Sequence, residues 1–193
     1  MTHPFFRLLT VMPLVICLAA SAQADEVSDS LQAALDAYTS GNLAKTSENM
    51  TLATQALAAQ QSALLAALLP AAPDGWTATP TDDFAQSFGI MGGGAGAEVR
   101  YENADQSQSY SMSLIADNPM VASMGAMLGN AQMMAMMGKV VKVGDQALLE
   151  TDNNLSTLVG SRVLFQAQGA ATDVMLPLVQ TIDFAKVGLF DTK

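Results

Sequence analysis

The chain has 193 residues, half of them hydrophobic and only 13% charged, with a net charge of −10 at neutral pH. So high a hydrophobic share excludes a disordered chain, and a chain of this length can bury about 70% of its unfolded surface in a core. The charges are scattered and form no basic cluster, which argues against nucleic acid or an anionic lipid surface as a partner.

The chain opens MTHPFFRLLTVMPLVICLAASAQADE. Arg7 gives a short basic start, an apolar run covers 8–20, and Ala22-Gln23-Ala24 supplies the small-x-small pattern of a signal-peptidase site. Residues 1–24 are therefore expected to be a signal peptide, cleaved after Ala24, with a periplasmic mature protein. The run is shorter than the roughly 20 residues of a permanent anchor, so no stable membrane insertion is expected after cleavage. Cys17 raises the alternative of a lipidated start, but the bulky Ile16 before it is unlike the small residue that lipoprotein signals carry. Cleavage would remove Cys17 and His3, the only cysteine and the only histidine, and with Arg7 gone the net charge shifts from −10 to −11. A mature chain of that kind has no disulfide, thiol nucleophile, Ser-His-Asp relay, Cys/His zinc site or haem-ligating histidine. No cofactor is expected. Catalysis would fall to carboxylates, lysine, arginine, tyrosine and hydroxyls.

Residues 25–72 read as a helical hairpin. Val27, Leu31, Ala34, Leu35 and Tyr38 recur at three- and four-residue spacing. Ser40-Gly41-Asn42 breaks the pattern, and a second helix follows with Leu43, Met50, Leu57 and Leu64 seven apart. Leu64, Leu65, Leu68 and Leu69 give its end more apolar breadth than one partner helix can cover, so it is expected to dock elsewhere. Pro70 and Pro73 end it. Residues 73–97, rich in glycine and proline, read as a connector. In it, Asp82-Asp83 has the character of a helix start, Trp76 of a plug at the junction, and the glycines of 89–96 of a turning lead-in. The last lack the Lys-Ser/Thr and the following helix of a phosphate loop.

Residues 98–193 show the period of strands. Segments 98–103 (EVRYEN) and 109–116 (SYSMSLIA) alternate, and further strands are expected at 139–143, 146–151, 155–159 and 162–168. A helix is expected from Pro119 through the methionine run 124–139, and another over 172–184. The fold class is α+β: an N-terminal antiparallel helical hairpin, then an antiparallel sheet with helices packed on one face.

Three resemblances follow from these residues. Ala34-Leu35-Asp36-Ala37-Tyr38, Gly41-Asn42, Ala53 and Ala56 are similar to one tetratricopeptide-type helix–turn–helix, which places a tyrosine and the Gly-Asn turn between its helices. One repeat cannot bury both its faces, so the pair needs the rest of the chain or another copy. More broadly, ALDAYTSGNLAKTSENM, ALLPAAPDGW, the GGG before VRYEN, and LVGSRVLFQAQG resemble a family of uncharacterised secreted bacterial proteins with a hairpin ahead of an α+β domain. The sheet and its helices are also similar to the PsbP/Mog1-like fold. The resemblance implies a fold and a compartment and carries no catalytic residue.

The candidate binding residues are methionines. Met120, Met124, Met127 and Met134 fall on one stripe of the expected helix with Met133 and Met137 beside it. The favoured reading is a core helix whose thioethers fill irregular gaps. Against it stand a surface for a protein partner, through Met120, Met124, Met127, Met134 and Met137, and a Cu(I) site. A calcium site at Glu150, Asp152, Asn153 and Asn154 lacks the ligand spacing and glycine of an EF-hand. The function expected is non-enzymatic binding or assembly, with a protein partner or a homo-oligomer. The alternatives are a carboxylate hydrolase or a small-ligand binder in the sheet–helix cleft.

Overall fold

The computed structural model describes residues 19–90 and 92–192; Arg7, most of the apolar run and Cys17 lie outside the described residues. Helix α1 (Ala19–Thr39) runs through the expected cleavage position, and α2 (Leu43–Ala66) packs back against it. The turn between them works as its residues suggest. Gly41 has φ +79°, a left-handed conformation with little cost for glycine, and the Asn42 side chain caps α2 by accepting from the Lys45 N–H at 3.1 Å. The contact is made by small residues, with Ala34 and Ala37 of α1 and Asn49 and Ala53 of α2 buried. Tyr38 does not sit between the helices, as the tetratricopeptide likeness implies; it is 63% exposed.

The far end of α2 is a different environment. Leu65 is fully buried and Leu69 nearly so, both in the core under the sheet. Just beyond, the Tyr101 hydroxyl donates to the Pro70 carbonyl at 2.6 Å, and burial, followed by the neighbouring Tyr110, pushes its phenol well above its ordinary pKa. The expected docking of the second helix is present.

The stretch 73–97, read as a connector, carries structure: β1 (Trp76–Pro80), α3 (Asp82–Ile90) and the start of β2 (Ala95–Asn103). Asp82 and Asp83 do open a helix, and Trp76 lies against Tyr110 with ring centroids 5.2 Å apart. After β3 (Ser109–Ala116) come α4 (Pro119–Leu128) and α5 (Ala131–Met137). The methionine run is thus two helices, broken where the Asn130 side chain accepts from the Gln132 and Met133 N–H groups and starts a new one. Strands β4 (Lys139–Val143), β5 (Gln146–Thr151), β6 (Asn154–Val159) and β7 (Val163–Gln168) follow, then α6 (Thr172–Val179) and α7 (Phe184–Gly188). The last two replace the one helix expected over 172–184. Pro177 removes a helical donor, and α6 stops two residues later.

All seven strands form one antiparallel sheet in the order β1-β2-β3-β7-β6-β5-β4. Its register aligns Val99, Met112, Ala167 and Leu155 across four strands on one face. That face is covered by α6, α7 and the end of α2, through Met175, Val179, Phe184 and Leu65. The opposite face carries a second core, in which Ile115, Leu149 and Leu164 meet Phe88 of α3, Val121 and Leu128 of α4, and Met134 of α5. The α+β class and the hairpin are as read from sequence, but the helices lie on both faces rather than one. Adjacent residues Leu148-Leu149 and Leu164-Phe165 are buried on opposite sides, which only a doubly covered sheet allows.

Two devices fix the hairpin to this frame. Strand β1 covers β2 only as far as the Pro80–Val99 pair, and past it the Ser62 hydroxyl of α2 accepts from the Gly96 N–H at 3.1 Å. A Cβ at Gly96 would overlap the Phe88 ring, so glycine is required for α3 to lie there. Arg162, between β6 and β7, grips two carboxylates with paired hydrogen bonds: Asp117 at 2.9 and 2.6 Å and Asp191 at 3.0 and 2.9 Å. Gln61 of α2 donates to Asp191 at 3.2 Å, so the hairpin, the C-terminal segment and the β3–α4 link share one clasp. Asp117 has φ +54°, a left-handed conformation that the Arg162 contacts hold in place. Arg100, on β2, reaches Glu102 only at 3.9 Å and donates instead to the Ser109 hydroxyl at 3.1 Å.

Candidate functional site

Two concave regions stand out. The larger, about 950 Å³, is a trough along α2 that ends at α3 and the 93–94 turn. It is lined by the large side chains of Tyr38, Leu43 and Met50 together with smaller residues such as Ser47, Thr54 and Ala58. Among the described residues no Asp, Glu, Lys or Arg lines it. The trough belongs to a wider apolar surface. Because α1 and α2 meet through Ala34, Ala37, Asn49 and Ala53, helical spacing sends Leu31, Leu35 and Tyr38 of α1 and Leu43, Met50 and Leu57 of α2 to one side of the pair. All six are exposed, Leu43 by 67% and Leu35 by 55%.

The smaller region, about 500 Å³, is the sheet–helix cleft on the second face. Met124, Met127 and Met137 form one wall, and Asn154, Ser156 and Gln166 lie on the strand side. Of the five candidate methionines, the fold brings these three together. Met124 also packs on the second core, as does the half-buried Met120, and Met134 is buried within it. The methionine run therefore divides: Met120 and Met134 fill a core, while Met137 and its neighbours Met133 and Met136 are exposed. Three thioethers on one wall are donors of the kind Cu(I) takes, and the groups across from them are hydroxyls and amides. Among the described residues Asp152 is the one carboxylate lining the cleft, where acid–base hydrolysis would want two.

The calcium candidates do not converge. The Glu150 carboxylate faces Lys139 at 3.0 Å, and Lys139, followed by Thr172, holds it below the usual carboxylate range. Asp152 sits in the tight turn before β6 with φ +47°. Among the described residues no three of His, Cys, Asp and Glu gather into a metal-binding group, and no helix is long and apolar enough to cross a membrane.

The 93–94 turn is built for shape. Gly92, Gly93 and Gly94 all have positive φ, and a Cβ on Gly94 would lie 2.6 Å from the Ala116 carbonyl. Asn118 reads this turn and the next helix together, donating to the Gly93 carbonyl at 2.6 Å and accepting from the Met120 N–H at 2.9 Å.

Sequence reasoning foresaw that the hairpin needs the rest of the chain or another copy to cover its faces, but named none of these residues as a site. The clue was present: leucine and methionine recur at 43, 50 and 57, while the contact with α1 is made by alanines. A helix whose small residues meet its partner leaves its large ones uncovered. No family model matches the chain, and no curated protein or solved structure matches it either.

Proposed function

We propose that the protein is an exported, periplasmic, non-enzymatic module that works by binding or assembly through the apolar side of its N-terminal hairpin. One observation carries the reading: a trough of about 950 Å³, lined in part by exposed Tyr38, Leu43 and Met50, has no charged residue among the described residues of its lining. A surface of that kind gains from excluding water and offers nothing to stabilise a charged transition state. The hydrolase alternative is weakened by the single carboxylate, Asp152, among the described residues of the cleft. The compartment rests on Arg7, the apolar run and Ala22-Gln23-Ala24.

Photo-crosslinking in the producing cell tests this. A photoreactive residue at Met50 is expected to give a defined protein adduct, and one at the exposed Lys142, on β4 at the far edge of the sheet, is not. The intact mass of the recovered protein should place its start at Asp25. No adduct at Met50, or equal adducts at both positions, would remove the binding reading. A lipidated start at Cys17 would overturn the free periplasmic state.

A further inference from the structure

We propose that the sheet–helix cleft on the second face binds an internal, uncharged stretch of a peptide chain in extended form, with an aliphatic side chain set against its methionines. The site is separate from the hairpin surface and stands or falls apart from it.

Strand register builds the polar side of the cleft. Ser156 pairs with Gln166 and Asn154 with Gln168 across β6 and β7, and the alternation that sends Leu155 and Ala167 to the first core turns these four to the second face. Ser156 is only 5% exposed, yet among the described residues its hydroxyl has no hydrogen-bond partner, and neither do the side-chain amides of Asn154, Gln166 and Gln168. The next residue along shows the ordinary arrangement. Thr157 is fully buried, and its hydroxyl donates to the Ala147 carbonyl at 2.7 Å and accepts from the Gln146 amide at 2.6 Å. Buried hydroxyls are paired almost without exception. One left open to a cleft, beside three amides that ignore each other, is a place for the donors and acceptors of a ligand.

Spacing and chemistry select a peptide. Side chains of one strand that share a face lie about 7 Å apart, which is the interval from Asn154 to Ser156 and from Gln166 to Gln168. An extended peptide shows an N–H and a C=O on the same edge at every second residue, and so at the same interval. A primary amide has donors on its nitrogen and an acceptor on its oxygen, and each one complements such a pair. The cleft, about 500 Å³, falls within the roughly 300–1,000 Å³ of small-ligand sites.

The opposite wall sets the side chain. Met124 and Met127 are half-buried and Met137 is 44% exposed, so the core does not use up their apolar surface. Unbranched thioethers adapt to aliphatic side chains of different shape. Among the described residues no lysine or arginine lines the cleft, so nothing there would hold a phosphate or a carboxylate, and the exposed Asp152 would repel both. No aromatic ring lines it either, which removes the platform on which a nucleobase stacks.

The test is NMR of the protein purified as cells produce it, labelled at the methionine methyl groups. The probe is the tripeptide alanine-leucine-alanine, acetylated at one end and amidated at the other. The signals of Met124, Met127 and Met137 should shift together and saturate, while those of Met175 in the first core and Met50 on the hairpin stay in place. The same peptide with glutamate in place of leucine, and the neutral sugar maltose, should leave all of them unmoved. Ser156→Ala and Gln166→Leu should each weaken binding about fivefold. Because Ser156→Ala removes a hydroxyl that has no partner, its Tm should equal or exceed that of wild type. No saturable shift at the cleft methionines, or equal shifts with maltose, would overturn the proposal. Binding of the tripeptide only when its ends are free would overturn the internal stretch and make a free peptide the ligand. A lowered Tm for Ser156→Ala would show that the protein itself holds the hydroxyl, and would remove the observation on which the site rests. Shifts confined to Met50 would move the peptide to the hairpin and overturn the cleft.

Discussion

The N-terminal hairpin and the methionine helices α4 and α5 are both apolar, and the fold treats them in opposite ways. In α4 and α5 the large side chains Val121, Leu128 and Met134 go into a core, and the chain exposes flexible methionines such as Met136. In the distal hairpin the alanines go inward, and Leu31, Leu35, Leu43 and Met50 stay in water. The difference is what lies opposite. Helices α4 and α5 run over a sheet face that offers Ile115, Leu149 and Leu164, whereas the outer hairpin residues Leu31, Leu35, Leu43 and Met50 have no such face laid over them and stand exposed. An apolar stripe says that a face will be covered; it does not say by what. The hairpin itself contains both cases, since its base is docked and its outer half is open.

The sharpest way to break this contrast is at the base. Leu65 is fully buried where α2 enters the first core, so Leu65→Asp would put an unpaired carboxylate into an apolar contact, costing roughly 4 kcal/mol, a large part of a typical domain's stability. Thermal unfolding read by far-UV CD and by fluorescence of Trp76, the only tryptophan, should shift together to lower temperature. If only the helical signal moved, the hairpin would be an independent appendage.

Much of the fold was legible. The strands at 109–116, 139–143 and 146–151 fall at the residues the alternation predicts, because Gly144-Asp145 and Pro119 punctuate them. Strand β1 was not legible, since WTATP is a largely exposed edge strand with little apolar alternation, and Pro80 at its end is tolerated there. The second covered face was written in doublets such as Leu148-Leu149, which an alternating template discounts. For the site, the methionine cleft could be half foreseen. For the hairpin, the need for cover could be foreseen but not which residues stay uncovered, because deciding that Ala53 faces α1 and Met50 does not requires knowing how the pair is rotated.

A smaller effect separates buried from exposed methionine within one short helix. Met134 is 3% exposed and Met136 is 79% exposed, two residues apart on α5. Met134→Ala should leave a cavity in the second core and cost about 2–3 kcal/mol, while Met136→Ala should change stability by less than about 0.5 kcal/mol. Denaturant unfolding of both variants measures the difference. Similar losses at the two positions would mean that Met136 is covered in solution, and the comparison with the hairpin would fail.

The smallest expected effect concerns the clasp that ties the docked base to the C-terminal segment. Asp191 accepts from Arg162 and from Gln61 of α2, and the Arg162 hydrogen bonds hold its carboxyl below the ordinary range. A depressed folded-state pKa means that the native state favours the ionised form. The stabilisation is then fully present above the ordinary carboxylate value, about 4, and is lost as pH falls through the lower folded value. Arg162 is more than a third open to solvent, so screening discounts the pair, and Asp191→Asn should cost about 1 kcal/mol at pH 7. At a pH low enough that wild-type Asp191 has itself taken up a proton, the two proteins should be nearly equal in stability. Denaturant titrations at both pH values read the gap, and added salt should narrow it at pH 7. A gap that survives acid would assign the contact to shape and neutral hydrogen bonding, and the docked base of the hairpin would then be held by Leu65 and Leu69 without help from charge.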